Sequence, residues 1–385
     1  METNDASKIH RKNHDRKKFT LLEISGAFGD WGTLIPYIIG YVSIVGLNPA
    51  GIFFCLGITN IILGIRFNLP LPVQPQKTIG AVAIAQSWTP LMVISTGFGT
   101  GVIWTILGFS RKLNTWVKKV PKVVVRAIQM GLTLILGWMA VELLISDVLV
   151  SFIAGLIIVV CLFFPKAPSA LILTFFGVIL IFIPAELSIV TFIPTVPEIS
   201  VFVPTWEDLL HGFIYAGFAQ LILTFTNVMV ATVALANELF PDRENPLEAR
   251  QLATNMGIIN LASPFVGGMP LCHGSGGLAA QYRFGARTGG SMIVEGLIEA
   301  IFGLFFADLL LFIFSNFPDA IFGVLLLFTA IMLAKVSVKK ADRIDIPIIV
   351  ISAVCSFIWN ISIGFLIALI LYAIFEGLKR IKKRK

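Results

Sequence analysis

The chain has 385 residues, of which 57% are hydrophobic and 13% are charged, and its mean hydropathy is +0.90. Soluble proteins carry about 25% charged residues, so this composition excludes a set of water-soluble domains and predicts a polytopic protein of the lipid bilayer. The formal net charge of +7 does not indicate a nucleic-acid partner, because the basic residues lie in short clusters beside apolar stretches. Residues 1–19 are polar and basic, and we expect no cleaved signal peptide.

Apolar stretches of about 20 residues, the length that crosses a bilayer, follow one another along the chain. All lysines and arginines except Lys77 fall in the two tails or in alternate connections, which indicates that those connections are cytoplasmic. Both termini are therefore predicted to lie on the cytoplasmic side of the cytoplasmic membrane, and the number of spans must be even. The fourteen predicted spans are 20–41, 49–66, 70–88, 92–109, 121–140, 142–162, 168–185, 211–236, 250–267, 269–287, 290–311, 317–335, 345–359 and 361–378.

A proline-rich segment at 186–210 is too interrupted to cross the membrane and is predicted to be an extracellular linker between two halves of seven spans. Because seven is odd, the two halves must have opposite orientations. Prolines recur at corresponding places: Pro72 lies 198 residues before Pro270, and Pro121 lies 197 residues before Pro318. The predicted fold is an all-α polytopic membrane protein of fourteen spans, built as a 7+7 inverted repeat.

The third and tenth predicted spans are interrupted. Residues 70–76 contain three prolines and are followed by a short helix from about Lys77 to Gln86, and the irregular residues 269–277 are followed by a short helix that leads to Arg283. Backbone that is not helical must be buried in protein or line a wet cavity when it lies inside a bilayer. In an inverted repeat, two such half-helices would point their N-termini at each other, and their free N–H groups and partial positive charges would form an anion site.

Lys77 lies near the middle of its span, and an ionisable residue at that depth is a candidate for function. A structural charge pair, or a lysine that snorkels to the surface, is the alternative. Close packing is the alternative for His273 and Ser275, and hydrogen bonding between helices is the alternative for Gln220 and Asn227. The residues predicted to bind the anion are Gln74, Gln76, Lys77, Thr78, His273, Gly274, Ser275, Gly276, Gly277, Gln220 and Asn227.

An acidic residue, Asp30, lies between glycines in the first predicted span. It is predicted either to carry a coupling proton or to balance the charge of Lys77. The four cysteines are scattered through apolar stretches without paired spacing, so we expect no disulfide, no metal site and no cofactor.

Two further carboxylates, Glu295 and Glu299, share one face of the eleventh predicted span. They are candidates for carrying protons. A structural pair with Arg283 or Arg287 is the alternative for these two residues.

Three segments resemble the signature segments of the plant-type molybdate transporter family, whose members include sulfate and molybdate transporters related to the SulP permeases. They are GAFGDWGTLIP in the first span, LPVQPQKTIGAVAIA in the third and PLCHGSGGLAAQYRFGARTG in the tenth. The resemblance extends from about residue 20 to 378. The family's motif residues correspond to Asp30, Gln74, Lys77, His273 and the glycines at 274, 276 and 277.

The resemblance implies the fold shared by SulP and nucleobase–ascorbate transporters, with spans 1–4 and 8–11 as a core domain and spans 5–7 and 12–14 as a gate domain. SulP proteins usually end in a cytoplasmic STAS domain, which is not expected here. The implied divisions are a basic tail at 1–19, core 20–112, gate 113–185, linker 186–210, core 211–312, gate 313–378 and a basic tail at 379–385.

The resulting hypothesis is a secondary transporter that moves molybdate, or the similar dianion sulfate, by alternating access, with a proton as co-substrate. A proton-coupled nucleobase carrier of the same fold is one alternative, and an anion channel or voltage-driven membrane motor is another. An enzyme is not expected, because no spacing of a nucleophile and a base stands out. The sequence does not distinguish molybdate, sulfate and tungstate, and it leaves the oligomeric state open, a homodimer included.

Overall fold

Helices dominate the computed structural model, which describes residues 17–110, 113, 115, 121–164, 169–183, 201–243, 245–338, 342 and 345–384. Two three-residue strands interrupt them. In chain order the elements are α1 Leu21–Ala27, α2 Trp31–Ser43, α3 Pro49–Phe67, β1 Val73–Pro75, α4 Lys77–Ala85, α5 Pro90–Phe109, α6 Lys122–Leu144, α7 Val148–Leu162, α8 Ser169–Phe182, α9 Trp206–Leu239, α10 Ala249–Ala262, β2 Leu271–His273, α11 Ser275–Arg283, α12 Gly290–Phe305, α13 Ala307–Ser315, α14 Asp319–Val338, α15 Asp345–Ile358 and α16 Ile361–Arg384.

The local sequence explains where several helices begin. The side chain of Asn48 accepts a hydrogen bond from the Ala50 N–H (2.8 Å) and is followed by proline at the first position of α3. Thr89 caps α5 in the same way, again followed by proline. Such caps satisfy N–H groups that have no partner inside the helix, and proline loses nothing at the first position.

The lengths and composition of the helices agree with a multi-pass membrane protein. Within the described ranges, four helices are long and apolar enough to cross a membrane: α3, α5, α6 and α9. Shorter apolar helices accompany them at Thr33–Ser43, Val148–Leu162, Ser169–Phe182, Asp345–Ile358 and Ile361–Gly377. The count of fourteen spans stays a prediction.

Two spans that were predicted to be continuous are not. The first is divided because α1 ends at Ala27 and a turn precedes α2 at Trp31. The eleventh is also wrong as a straight span: α12 and α13 meet at Phe306 and are bent by 88°. The linker predicted at 186–210 needs a correction at its end, where α9 begins at Trp206.

The packing of the central helices has an internal two-fold pattern. α3 packs against α12, and α5 packs against α10. α3 and α10 begin 200 residues apart, as do α5 and α12. α3 therefore packs against the counterpart of α5, and α5 packs against the counterpart of α3. The pattern agrees with a repeat in these elements, and the complete 7+7 arrangement stays a prediction.

Glycines allow these helices to approach backbone to backbone. A Cβ added to Gly57 in α3 would lie 2.5 Å from the backbone nitrogen of Ala300 in α12. A Cβ added to Gly101 in α5 would lie 2.9 Å from the Cβ of Asn260 in α10. Real Cβ atoms do not tolerate such contacts, so the two helices of each pair touch with no spare space between them.

The remaining long helices form a second group, in which α6 packs against α14 and α15. Arg126 and Asp345 join α6 to α15 through an ion pair of 2.9 Å. Large apolar side chains on α7 and α8, such as Phe152 and Phe175, are exposed. This surface suits lipid contact, because a protein in water rarely exposes so many of them together.

Candidate functional site

Both predicted interruptions are present, and they pair with each other. β1 and β2 form an antiparallel ribbon in which Val73 pairs with His273, Gln74 with Cys272, and Pro75 with Leu271. β1 leads directly into α4, and β2 leads directly into α11. Because the strands are antiparallel, α4 leaves one end of the ribbon and α11 leaves the other, so the two half-helices begin at opposite ends of it.

Two asparagines, 200 residues apart, hold the ribbon in place. Asn60 on α3 accepts a hydrogen bond from the Val73 N–H at 3.2 Å, and Asn260 on α10 accepts one from the Leu271 N–H at 2.8 Å. Asn260 also donates to the carbonyl of Leu271. Both asparagines are fully buried. Sequence reasoning missed this pair, although its regular spacing in two corresponding helices is a usable signal.

Lys77 is the first residue of α4 and lines a small pocket of about 10 Å³. A cavity of this size has room for about one water molecule, so an oxyanion would enter it only if the side chains around it moved apart. In the described part of the chain, no carboxylate oxygen lies within 4.0 Å of the Lys77 ammonium. The pocket is lined by Lys77, Gln220, Leu223, Thr224, Asn227, Val228 and Cys272.

Two amides of α9 reach the starts of the two half-helices. The Gln220 side-chain oxygen accepts a hydrogen bond from the Thr78 N–H in the first turn of α4, at 2.8 Å. Asn227 accepts one from the hydroxyl of Ser275, the first residue of α11, at 3.0 Å. The interhelical hydrogen bonding that was the alternative for Gln220 and Asn227 is therefore present, and both residues also line the pocket.

Other predicted ligands point away from the pocket. Gln74 donates to Thr33 (2.7 Å) and to Asp30 (3.2 Å). Gln76 exchanges hydrogen bonds with Thr100 and donates to the carbonyl of Leu271, so both ends of its amide have partners in the core.

His273 is the last residue of β2; it is fully buried and does not line the pocket. Its Nε2 lies 2.8 Å from the amide nitrogen of Asn255, a partner that sequence reasoning missed. The direction of this hydrogen bond follows the tautomer of the ring. Within the described ranges the Nδ1 of His273 and the buried hydroxyl of Thr78 have no hydrogen-bond partner.

The glycines of the tenth span have different surroundings. Gly274 precedes α11, and a Cβ there would lie 3.5 Å from the Gln74 side-chain oxygen. A Cβ on Gly277 would lie 2.9 Å from Pro72, whereas one on Gly276 would point into open space. Gly277 therefore permits close packing, and Gly276 lies on an open face of α11.

Asp30 and Glu295 share a buried hydrogen-bond network, Glu299 bonds separately to Asn60, and no lysine or arginine nitrogen of the described residues lies within 4.0 Å of any of the three. Asp30, Glu295 and Glu299 are each at most 1% exposed. Gln281 of α11 donates from one nitrogen to Asp30 (3.1 Å) and to Glu295 (2.7 Å). Asn60 donates to Glu299 at 2.8 Å, while the other oxygen of Glu299 has no partner in the described structure.

These contacts correct two of the alternatives. Asp30 does not pair with Lys77, since its side-chain partners are Gln74 and Gln281. No lysine or arginine nitrogen of the described residues lies within 4.0 Å of Glu295 or Glu299, so the expected structural pairs with arginine are absent. Glu295 instead accepts from the Trp31 indole at 3.0 Å.

Together, the site combines Lys77, which has no carboxylate within 4.0 Å among the described residues, the starts of two half-helices and a separate set of buried acids. Gln74 and Gln281 connect Asp30 to the ribbon and to α11, so the acids contact both interrupted segments. Sequence reasoning missed Gln281, and it also missed Cys272, which it treated as one of four scattered cysteines although it lies in the pocket wall.

Comparison with known proteins identifies similar sequences over most of the chain. A family model described as "Molybdate transporter of MFS superfamily" matches residues 22–136 and 212–333. "Molybdate transporter 2" of Arabidopsis thaliana is 31% identical in an alignment that covers 92% of this chain and 87% of the relative. "Molybdate transporter 1" of the same plant is 30% identical, with 92% of this chain and 88% of the relative covered.

Similar folds occur among solved structures. The transmembrane domain of the cyanobacterial bicarbonate transporter BicA has a TM-score of 0.67 at 14% identity, covering 90% of this chain and 96% of that chain. Murine Slc26a9, described as an anion transporter in the inward-facing state, has a TM-score of 0.71 at 12% identity, covering 95% of this chain and 69% of that chain. At these identities the likeness establishes the fold of a polytopic membrane protein.

Proposed function

Because the chain belongs to the molybdate transporter family, we propose that it carries a small tetrahedral oxyanion, molybdate or sulfate, across the cytoplasmic membrane. The observation that carries this proposal is the position of Lys77. Its ammonium lines a pocket at the start of a half-helix, with no carboxylate within 4.0 Å among the described residues. A cation held inside a bilayer without a partner is unfavourable, and a bound anion would supply the missing charge.

Several groups around Lys77 suit an oxyanion with four acceptor oxygens. The N–H of Thr78 points into the same region, and the hydroxyl of Ser275 lies at the start of the opposing half-helix. Both helix starts contribute partial positive charge, which acts over the short distances in the pocket. Neither half-helix receives a side-chain cap from the residue that precedes it. In this structure the two donors bond instead to the amide oxygens of Gln220 and Asn227, which a ligand would have to replace.

We propose that Asp30, Glu295 and Glu299 carry the co-transported proton. Uptake of a dianion against a negative-inside potential costs about 2.3 kcal/mol per charge per 100 mV, so uptake needs a coupled ion. A buried carboxylate that is charged and has no cation beside it costs several kcal/mol. A proton that binds to one of these three carboxylates removes its charge and therefore that cost. The hydrogen bonds from Gln74 and Gln281 to Asp30 give the network contact with both interrupted segments.

We propose that the carrier works by alternating access, with both termini in the cytoplasm. Residues 78–84 of α4 are all buried, whereas Gly276, Ala279 and Arg283 of α11 are exposed. With cytoplasmic termini, α4 leads outward and α11 leads inward, and the exposed residues of α11 support a state that is open to the cytoplasm. In the opposite state, the outer half-helix would become accessible and α11 would be covered.

Uptake by purified protein in liposomes tests the site. Lys77→Ala is expected to abolish saturable uptake of labelled molybdate, because the cation that offsets the anion is lost. Lys335→Ala is the matched control, since Lys335 is exposed at the end of α14, and it should transport normally. Both variants must reach the membrane in equal amounts. Normal uptake by Lys77→Ala would remove the site assignment.

Competition experiments define the substrate. Sulfate and tungstate are expected to compete with molybdate, because all three are tetrahedral dianions. Competition by uracil or xanthine would instead support the nucleobase carrier. Currents that rise linearly with anion concentration, without saturation, would support a channel.

A further inference from the structure

Gln220 occupies a position that a bound anion would be expected to fill. Its side-chain oxygen lies 2.8 Å from the Thr78 nitrogen, and its amide nitrogen donates to the hydroxyl of Thr224 at 2.9 Å. The orientation of the amide follows from chemistry, since a backbone N–H only donates and must therefore face the oxygen. Gln220 is 1% exposed and lines the Lys77 pocket.

The N–H of Thr78 belongs to the first turn of α4, where N–H groups have no partner within the helix. An oxyanion at this helix start would accept a hydrogen bond from the same N–H. A neutral amide oxygen satisfies it in this structure. Asn227, two turns further along α9, has the corresponding relation to α11 through the Ser275 hydroxyl.

The backbone around Gln220 is unusual. Gln220 lies in the short α-helical segment Phe218–Thr224, between π-helical segments at Phe213–Gly217 and Phe225–Thr232. π-helical turns are rare and are found frequently at functional sites. Together with the hydrogen bond to Thr78, this backbone distinguishes Gln220 from an ordinary polar residue of a packed helix.

We propose that Gln220 is a stand-in for the anion in the empty carrier: its oxygen satisfies the Thr78 N–H until a substrate anion displaces it. The inference rests on the proposed function. A hydrogen bond from an N–H to an anion is roughly twice as strong as one to a neutral oxygen, so a dianion displaces the amide and water does not. Gln220 therefore lowers affinity and favours strongly charged ligands.

Equilibrium binding of molybdate to purified protein, measured by isothermal titration calorimetry, tests the idea. Gln220→Ala is expected to bind molybdate about two- to tenfold more tightly, because a net hydrogen bond of about 0.5–1.5 kcal/mol no longer has to be broken. Gln220→Glu places a tethered carboxylate at the Thr78 N–H beside Lys77. It is expected to weaken binding by about tenfold or more, at 1.5–3 kcal/mol for a hydrogen bond to a charged group.

Further variants distinguish failure of this proposal from failure of the proposed function. Thr226→Val is the matched control on α9, because the Thr226 hydroxyl bonds only to carbonyls of its own helix, and its affinity should not change. If Gln220→Ala does not yield folded protein, Gln220→Leu removes the oxygen while retaining the bulk. Weaker or unchanged binding in the Ala or Leu variant would overturn the proposal and leave the site intact. A wild-type protein that binds neither molybdate, sulfate nor tungstate would instead refute the proposed function.

Discussion

Asn260→Ala is expected to loosen β2 without disrupting the helices around it. Asn260 is fully buried, and its oxygen accepts the Leu271 N–H at 2.8 Å. Alanine leaves that buried donor without a partner, which costs about 1–3 kcal/mol. A change of this size raises the population of the opened strand by about 5- to 150-fold.

Hydrogen–deuterium exchange followed by mass spectrometry measures this opening directly. A peptide that contains Leu271 should exchange faster in Asn260→Ala by the factor given above, while peptides from α6 and α14 should not change. Asn260→Asp keeps an acceptor for the Leu271 N–H but loses the donor to the Leu271 carbonyl, so its exchange should be slower than that of the Ala variant and faster than that of the wild type. Equal exchange in the Ala variant and the wild type would refute the reasoning, as would equal exchange in the Ala and Asp variants.

Three further changes test other contacts, two of them by thermal unfolding in detergent. Gly257→Ala puts a Cβ 2.6 Å from a backbone nitrogen of α5 and should lower the free energy of unfolding by about 1–3 kcal/mol. Gly155→Ala is its control: the added Cβ meets nothing within 4 Å, so the unfolding midpoint should not fall. Asp345→Asn breaks the ion pair with Arg126 and should cost about 0.2–1 kcal/mol; a loss that does not shrink in high salt would contradict a charge effect. Gln281→Leu removes the hydrogen bonds to the carboxylates of Asp30 and Glu295, each worth about 1.5–3 kcal/mol, and should slow uptake tenfold or more. Normal uptake by this variant would show that Gln281 does not take part in proton coupling.

The sequence could predict the interruptions and the position of Lys77 because both follow from local chemistry. Proline lacks the N–H that a helix needs, so the three prolines at 70–76 indicate a break wherever the chain folds. Lys77 stands out because a charge inside an apolar segment is rare. The two bends at 28–30 and at Phe306 contain no proline. Gly29 and Asp30 at the first bend are weak helix formers, whereas at Phe306 the apolar pattern continues and nothing local indicates the bend.

The partners of the site residues could not be predicted, because they come from distant parts of the chain. Gln281 lies 251 residues from Asp30, and Asn60 lies 239 residues from Glu299. Glutamine and asparagine have no periodic signature that identifies which carboxylate they contact. For the same reason the sequence suggested charge pairs for Asp30 and the two glutamates, where the fold supplies neutral amides.

The glycine contacts described above restrict how the protein can move. Gly57 and Gly101 bring α3 onto α12 and α5 onto α10 with their backbones in contact, and interlocked surfaces of this kind do not slide without collisions. Each of these two helix pairs therefore moves as a unit, and any sliding between helices must occur outside the two contacts.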